Sequence, residues 1–151
     1  MSKMEDELNE MYDNHDDLAM RHIDYDPTGN PNSTRAIEEA EREGLDVRFP
    51  TDHELLIDID NDHSYELFEH QILIVKKFFS AVNVQVTPSR HGLPGRHIVV
   101  TMQRSVTELE RITLQACLGS DRVREVLGFV QMMNGDPHPT LFLEAKAPAQ
   151  F

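Results

Sequence analysis

The chain has 151 residues and a hydrophobic fraction of 39%, which supports one domain with one core. No stretch approaches the ~20 apolar residues of a membrane-spanning helix, and the acidic, polar N-terminus is unlike a signal or transit peptide. A formal net charge of -13 argues against a broad, sequence-independent grip on nucleic acid, and a single cysteine, Cys117, precludes an internal disulfide and points to a reducing, cytoplasmic compartment.

Residues 1–33 carry Glu5, Asp6, Glu7, Glu10, Asp13, Asp16, Asp17, Asp24 and Asp26 against Lys3 and Arg21, show little apolar periodicity and end in the turn-rich DPTGNPNS. They are predicted to form an acidic mobile arm. Residues 34–50 form a second unit, with a short charged helix capped by Ser33 or Thr34, stopped at Gly44 and followed by a possible edge strand, LDVRF. The core is expected over 51–146, with 147–151 a flexible tail.

Within the core, ELLIDID (54–60) alternates as a strand with Leu55, Ile57 and Ile59 on one face and Asp58 and Asp60 on the other. Asp62 or Ser64 is placed to cap a helix whose stripe is Tyr65, Phe68, Ile72, Val75 and Phe79. VNVQV (82–86) and HIVVTM (97–102) read as two further strands joined by the loop SRHGLPGRH (89–97). Thr107 and Glu110 form a capping-box pattern ahead of a helix with Leu109, Ile112 and Ala116, in which Cys117 is expected to be core. Ser120 is expected to cap a last helix with the stripe Val123, Leu127 and Val130. PTLFLE (139–144) is the last strand.

This order predicts an α+β fold of the ferredoxin-like or RNA-recognition-like split βαβ type, an antiparallel sheet with helices on one face. The topology places the last strand beside the first. Asp58, Asp60, His97 and Glu144 would then share the open face, with Phe142 beside Glu144.

Two aspartates two apart inside so apolar a strand are a costly pattern unless they bind something, and oxygen ligands suit Mg²⁺ or Mn²⁺ with substrate phosphate completing the shell. The neighbouring loop offers Ser89, Arg90, His91, Arg96 and His97 to an anion, and its glycines allow close backbone approach. A zinc cluster is less well supported, because the eight histidines show no H-E-x-x-H spacing and C-x-x-C is absent. Walker, G-x-G-x-x-G and G-x-S-x-G patterns are absent too.

The segments LLIDID (55–60), SRHGLPGRHI (89–98) and LFLE (141–144) resemble the three motifs of archaeo-eukaryotic primase and primase-polymerase catalytic cores. Residues 54–144 also look similar to small proteins encoded by bacterial viruses, which would place the chain in a host cytoplasm. The resemblance implies metal-dependent nucleotidyl transfer in DNA replication. Asp58, Asp60 and Glu144 would be metal ligands and His97 the contact to the phosphates of a nucleoside triphosphate. It also implies single-stranded or primed nucleic acid, or a replication protein, as partners. Members of the family usually carry an extra N-terminal module and more sequence between the second and third motifs, and neither is expected here at full length. Two other readings therefore stand beside the enzyme: a non-catalytic nucleic-acid or replication-protein binding module, and an acidic interaction protein or DNA mimic.

Overall fold

The computed structural model describes residues 30–79 and 81–146 of the chain. The arm reading for 1–33 and the tail reading for 147–151 therefore lie outside the described residues, apart from 30–33. Asn30, not Ser33 or Thr34, starts the first helix, α1 (Pro31–Arg42), its side chain accepting from Asn32 N at 2.9 Å with Pro31 at the first helical position. The Asn30 and Asn32 amides also donate to Pro137 O at 3.0 and 3.2 Å, so α1 begins against the far end of the chain. Strand β1 (Leu45–Arg48) then pairs antiparallel with β5 (Phe142–Ala145), in register Leu45↔Ala145 to Arg48↔Phe142.

The main sheet is antiparallel, in the order β2 (Glu54–Ile59), β4 (Arg96–Met102), β3 (Ala81–Pro88). Helix α2 (Asp62–Phe79) connects β2 to β3. Asn61 caps it, with its side chain accepting from Ser64 N and its carbonyl from Tyr65 N. After β4 come α3 (Glu108–Cys117), which carries the expected Thr107–Glu110 capping box, and α4 (Arg122–Met133). The result is an α+β fold with antiparallel sheets, compatible with a split βαβ arrangement.

Alternation along β2 and β4 sends Leu55, Ile57, Ile59, Ile98, Val100 and Met102 to one side, where they are almost fully buried against Phe68, Ile72 and Val75 of α2 and against Val106 and Leu118. Each such side chain contributes about 1.5–3 kcal/mol through burial, so this cluster carries most of the stability of the sheet. The helical stripes are only partly as predicted. Phe79 is 40% exposed, Ala116 and Cys117 are exposed rather than core, and Asp121 instead of Ser120 caps α4. The stripe Val123, Leu127 and Val130 faces outward, at 68%, 52% and 45% exposure.

The last strand also departs from expectation: β5 pairs with β1 and not with β2. The reason is that the outer edge of β2 is already occupied. Leu56 N donates to Gln115 Oε1 at 2.9 Å, Asp58 N to Ser120 Oγ at 3.0 Å, and Asp121 N to Asp58 O at 2.8 Å. Arg111 Nε donates to Glu54 O at 2.9 Å, and Arg124 Nη2 to Leu56 O. A buried backbone group without a partner costs about 1–3 kcal/mol, and here polar side chains of α3 and α4 supply what a strand would have supplied. This explains why α3 and α4 bury Glu108, Arg111, Gln115 and Glu125. The displaced β5 instead lays Phe142 on the second face of the sheet, burying it with Leu56 and Val99.

Candidate functional site

Asp58 lies opposite His97 in the β2–β4 register, so the two side chains share the second face of the sheet. Their closest approach, His97 Nε2 to Asp58 Oδ1, is 3.8 Å, beyond hydrogen-bond length. Asp60 follows one residue after β2 ends. Asp121 arrives from the α3–α4 junction. Gly119, in the left-handed region at φ +89°, lets the chain turn there within 3.0 Å of Ser64 O, measured from an added Cβ, and the Asp121 N to Asp58 O bond then fastens the head of α4 to β2.

Asp58, Asp60 and Asp121 thereby converge: one carboxylate oxygen of each lies within 4.8 Å of the others. That separation is within the ~5 Å that two oxygens on opposite sides of a Ca²⁺ ion span, and modest side-chain rotation closes it to the smaller shell of Mg²⁺ or Mn²⁺. The donor set, three carboxylates and no sulfur, fits a hard divalent cation.

The electrostatics carry the mark of this crowding. Burial pushes the Asp58 carboxyl above the usual range and Asp121 adds to it, while Arg124 opposes. Burial also raises Asp60, with Asp121 and Asp58 contributing by repulsion and Arg124 opposing. His97 is lowered, first by burial and then by Arg124 and Arg90, against the pull of Glu144. The ring is therefore neutral at pH 7, and its contact with Asp58 is not an ion pair.

A folded-state carboxyl above its unfolded value makes the native state the better proton binder. The stability it contributes is present below the unfolded value and is lost as pH rises through the raised one. Asp60→Asn is therefore expected to raise the melting temperature of the cation-free protein at pH 7 by about 1–2 °C. That gain shrinks as the pH is lowered toward 4, in circular-dichroism melts across this range. A fall in melting temperature at pH 7 would show that the carboxylates do not repel.

Asp58, Asp60 and His97 line one cleft of about 520 Å³ with the loop 89–95 as one wall and residues 141–143 as the other. The loop is self-closed: Ser89 N donates to Gly95 O at 2.9 Å, Gly92 N to Ser89 O at 2.8 Å, and Ser89 Oγ to Gly92 O at 3.3 Å. An added Cβ on Gly95 would stand 2.5 Å from Ser89 Oγ. Arg90 and His91 sit together at its exposed tip, Nη2 to Nε2 3.2 Å. A second cleft of about 430 Å³, lined by Asn61, Asp121 and Arg122 among others, meets the first at Asp60.

Of the residues singled out from the sequence, Asp58, Asp60, Ser89, Arg90, His91 and His97 thus come to one cleft. Arg96 does not. It pairs with Ile59 and so lies on the α2 side, donating to Asp62 Oδ1 at 3.0 Å and Pro94 O at 2.9 Å, with its guanidinium 4.1 Å from the Tyr65 ring centroid. Glu144 acts on His97 through its charge but is outside the carboxylate cluster. Three residues were not foreseen: Asp121, hidden in the sequence as an ordinary helix cap; Arg124; and the role of Phe142, whose ring stacks parallel on His97 at 3.9 Å between centroids. Comparison with family models, with curated proteins and with solved structures finds no match.

Proposed function

We propose that this cleft binds Mg²⁺ or Mn²⁺ together with the triphosphate of a nucleotide, and that it serves nucleotidyl transfer of the primase-polymerase kind. The observation that carries the reading is the convergence of Asp58, Asp60 and Asp121 where two clefts meet at Asp60, Asp58 and Asp60 lining the cleft whose wall holds Ser89, Arg90 and His91 and Asp121 lining the other. The three carboxylates would hold the cation, which when bound supplies charge stabilisation to a phosphoryl group in displacement. Arg90 and His91 would meet phosphate oxygens, and the neutral His97 would offer one ring nitrogen as donor and the other as acceptor. The second cleft, which meets the first at Asp60, would be the approach of an attacking strand. Single-stranded or primed nucleic acid is the partner this arrangement implies. No helix among the described residues is long and apolar enough to cross a membrane.

A non-catalytic binding module is favoured by one observation. Phe142 covers His97, leaving its side chain 14% exposed and little ring surface for a nucleotide. Calorimetric titration of the full chain with Mn²⁺ and a nucleoside triphosphate, compared with Asp58→Ala/Asp60→Ala, tests the primary reading. Binding that needs the metal and is lost in the double variant supports it. Nucleic-acid binding with no metal dependence supports the module instead.

A further inference from the structure

Arg124 lies on α4, and three contacts fix its guanidinium. Nη2 donates to the Leu56 carbonyl, Nε pairs with Oε1 of buried Glu125 at 2.9 Å, and the group stands 5.5 Å from the centroid of Phe142, the ring that stacks on His97. Nη1 is buried with no hydrogen-bond partner. Leu56 is two residues from Asp58 on the same strand face, and Asp121 caps the helix that carries Arg124. A permanently charged group is therefore pinned beside the carboxylate cluster without being paired to any of its members. Arg124 follows Asp121 by three residues at the head of α4, and Asp121 N donates to Asp58 O at 2.8 Å, so the guanidinium and two of the carboxylates are fixed at one junction of β2 and α4.

A bare dication entering the cluster is attracted by three carboxylates and repelled by this guanidinium. A dication that carries a polyphosphate brings negative charge, which the guanidinium attracts. We propose that Arg124 is a specificity-determining residue that makes the Asp58–Asp60–Asp121 site take its cation as a phosphate complex in preference to the bare ion. The inference rests on the proposed function and adds the form in which the ligand arrives.

A purely structural role, holding the edge of β2 and the Phe142 ring, would make loss of Arg124 weaken both forms of binding together. The charge role predicts opposite signs. Full-length Arg124→Gln, which removes the charge and keeps a polar side chain, is expected to bind Mn²⁺ alone about 3- to 10-fold more tightly and the Mn²⁺ complex of a non-hydrolysable nucleoside triphosphate weaker by a similar factor. Arg124→Lys keeps both affinities within about twofold. Should Arg124→Gln fail to fold, Glu125→Gln gives the converse: with the neighbouring carboxylate gone, bare Mn²⁺ binds more weakly and the complex more tightly. Calorimetry reads both ligands, and circular dichroism checks folding. Parallel shifts or no shifts across these variants overturn the role of Arg124. Absence of any Mn²⁺ binding in the wild type overturns the proposed function, and this inference with it.

Discussion

Asp58→Ala/Asp60→Ala is expected to lose Mn²⁺-dependent nucleotide binding by at least about 100-fold while the fold persists. Two of the three converging carboxylates go, and Asp121 alone leaves a cation with one protein ligand. Stability is not expected to fall in step. Both side chains sit on the second face, away from the cluster of Leu55, Ile57 and Ile59 that anchors the strand, and burial and repulsion already hold their carboxyls above the usual range. Asp58 serves the fold mainly through its backbone, which donates to Ser120 Oγ and accepts from Asp121 N, and alanine keeps both bonds. Loss of binding with an unchanged or higher melting temperature therefore separates a site defect from unfolding. Equal heats of nucleotide binding in wild type and variant would remove the cation site.

The largest loss of stability is expected from Arg111→Met. Arg111 is 1% exposed. It donates from Nε to Glu54 O at 2.9 Å, from Nη2 to Thr51 O at 2.7 Å, and from Nη1 to the buried carboxylate of Glu108. Removing it leaves Glu108 as an uncompensated buried charge and two carbonyls without their donor, at a cost of about 3–5 kcal/mol. Against a total stability of about 5–15 kcal/mol this is a large fraction, and the melting temperature should fall by about 6–20 °C. Glu108→Leu/Arg111→Met should recover a good part of the loss, because an apolar pair of similar size removes the stranded charge, though not the stranded carbonyls. Thermal unfolding by calorimetry decides the point. A drop under about 1 kcal/mol would mean that water reaches Glu108 in the folded state.

These two variants mark what was legible in the sequence. The faces of β2 and β4 could be read from alternation alone, because an apolar strand with Asp58 on its off-beat positions has only one sensible orientation. That Asp58 and His97 share a face follows from it, and the register then sets them opposite each other. The Thr107–Glu110 cap is a local pattern and was equally readable. The helices α3 and α4 were readable as elements but their buried faces were not, because hydropathy assigns polar side chains to solvent. Here Glu108, Arg111, Gln115, Ser120 and Glu125 are turned inward to finish the backbone edge of β2, and Val123, Leu127 and Val130 are turned out. The same inversion displaced β5 from the sheet and replaced a carboxylate expected on a strand, Glu144, with one supplied by a helix cap, Asp121. Nothing in the spacing of Asp121 from Asp58 foretells this. It depends on a long-range bond between their backbones.

The choice between those two carboxylates is also the most direct test. Mn²⁺ affinity should be measured by calorimetry for the wild type, Asp121→Asn and Glu144→Gln. Asparagine is as good a helix cap as aspartate, so Asp121→Asn keeps α4 in place while removing one charged ligand. A cation held by Asp58, Asp60 and Asp121 predicts about 10- to 100-fold weaker binding in Asp121→Asn and a change of no more than about twofold in Glu144→Gln. Wild-type affinity in Asp121→Asn, with the loss appearing in Glu144→Gln, would contradict it.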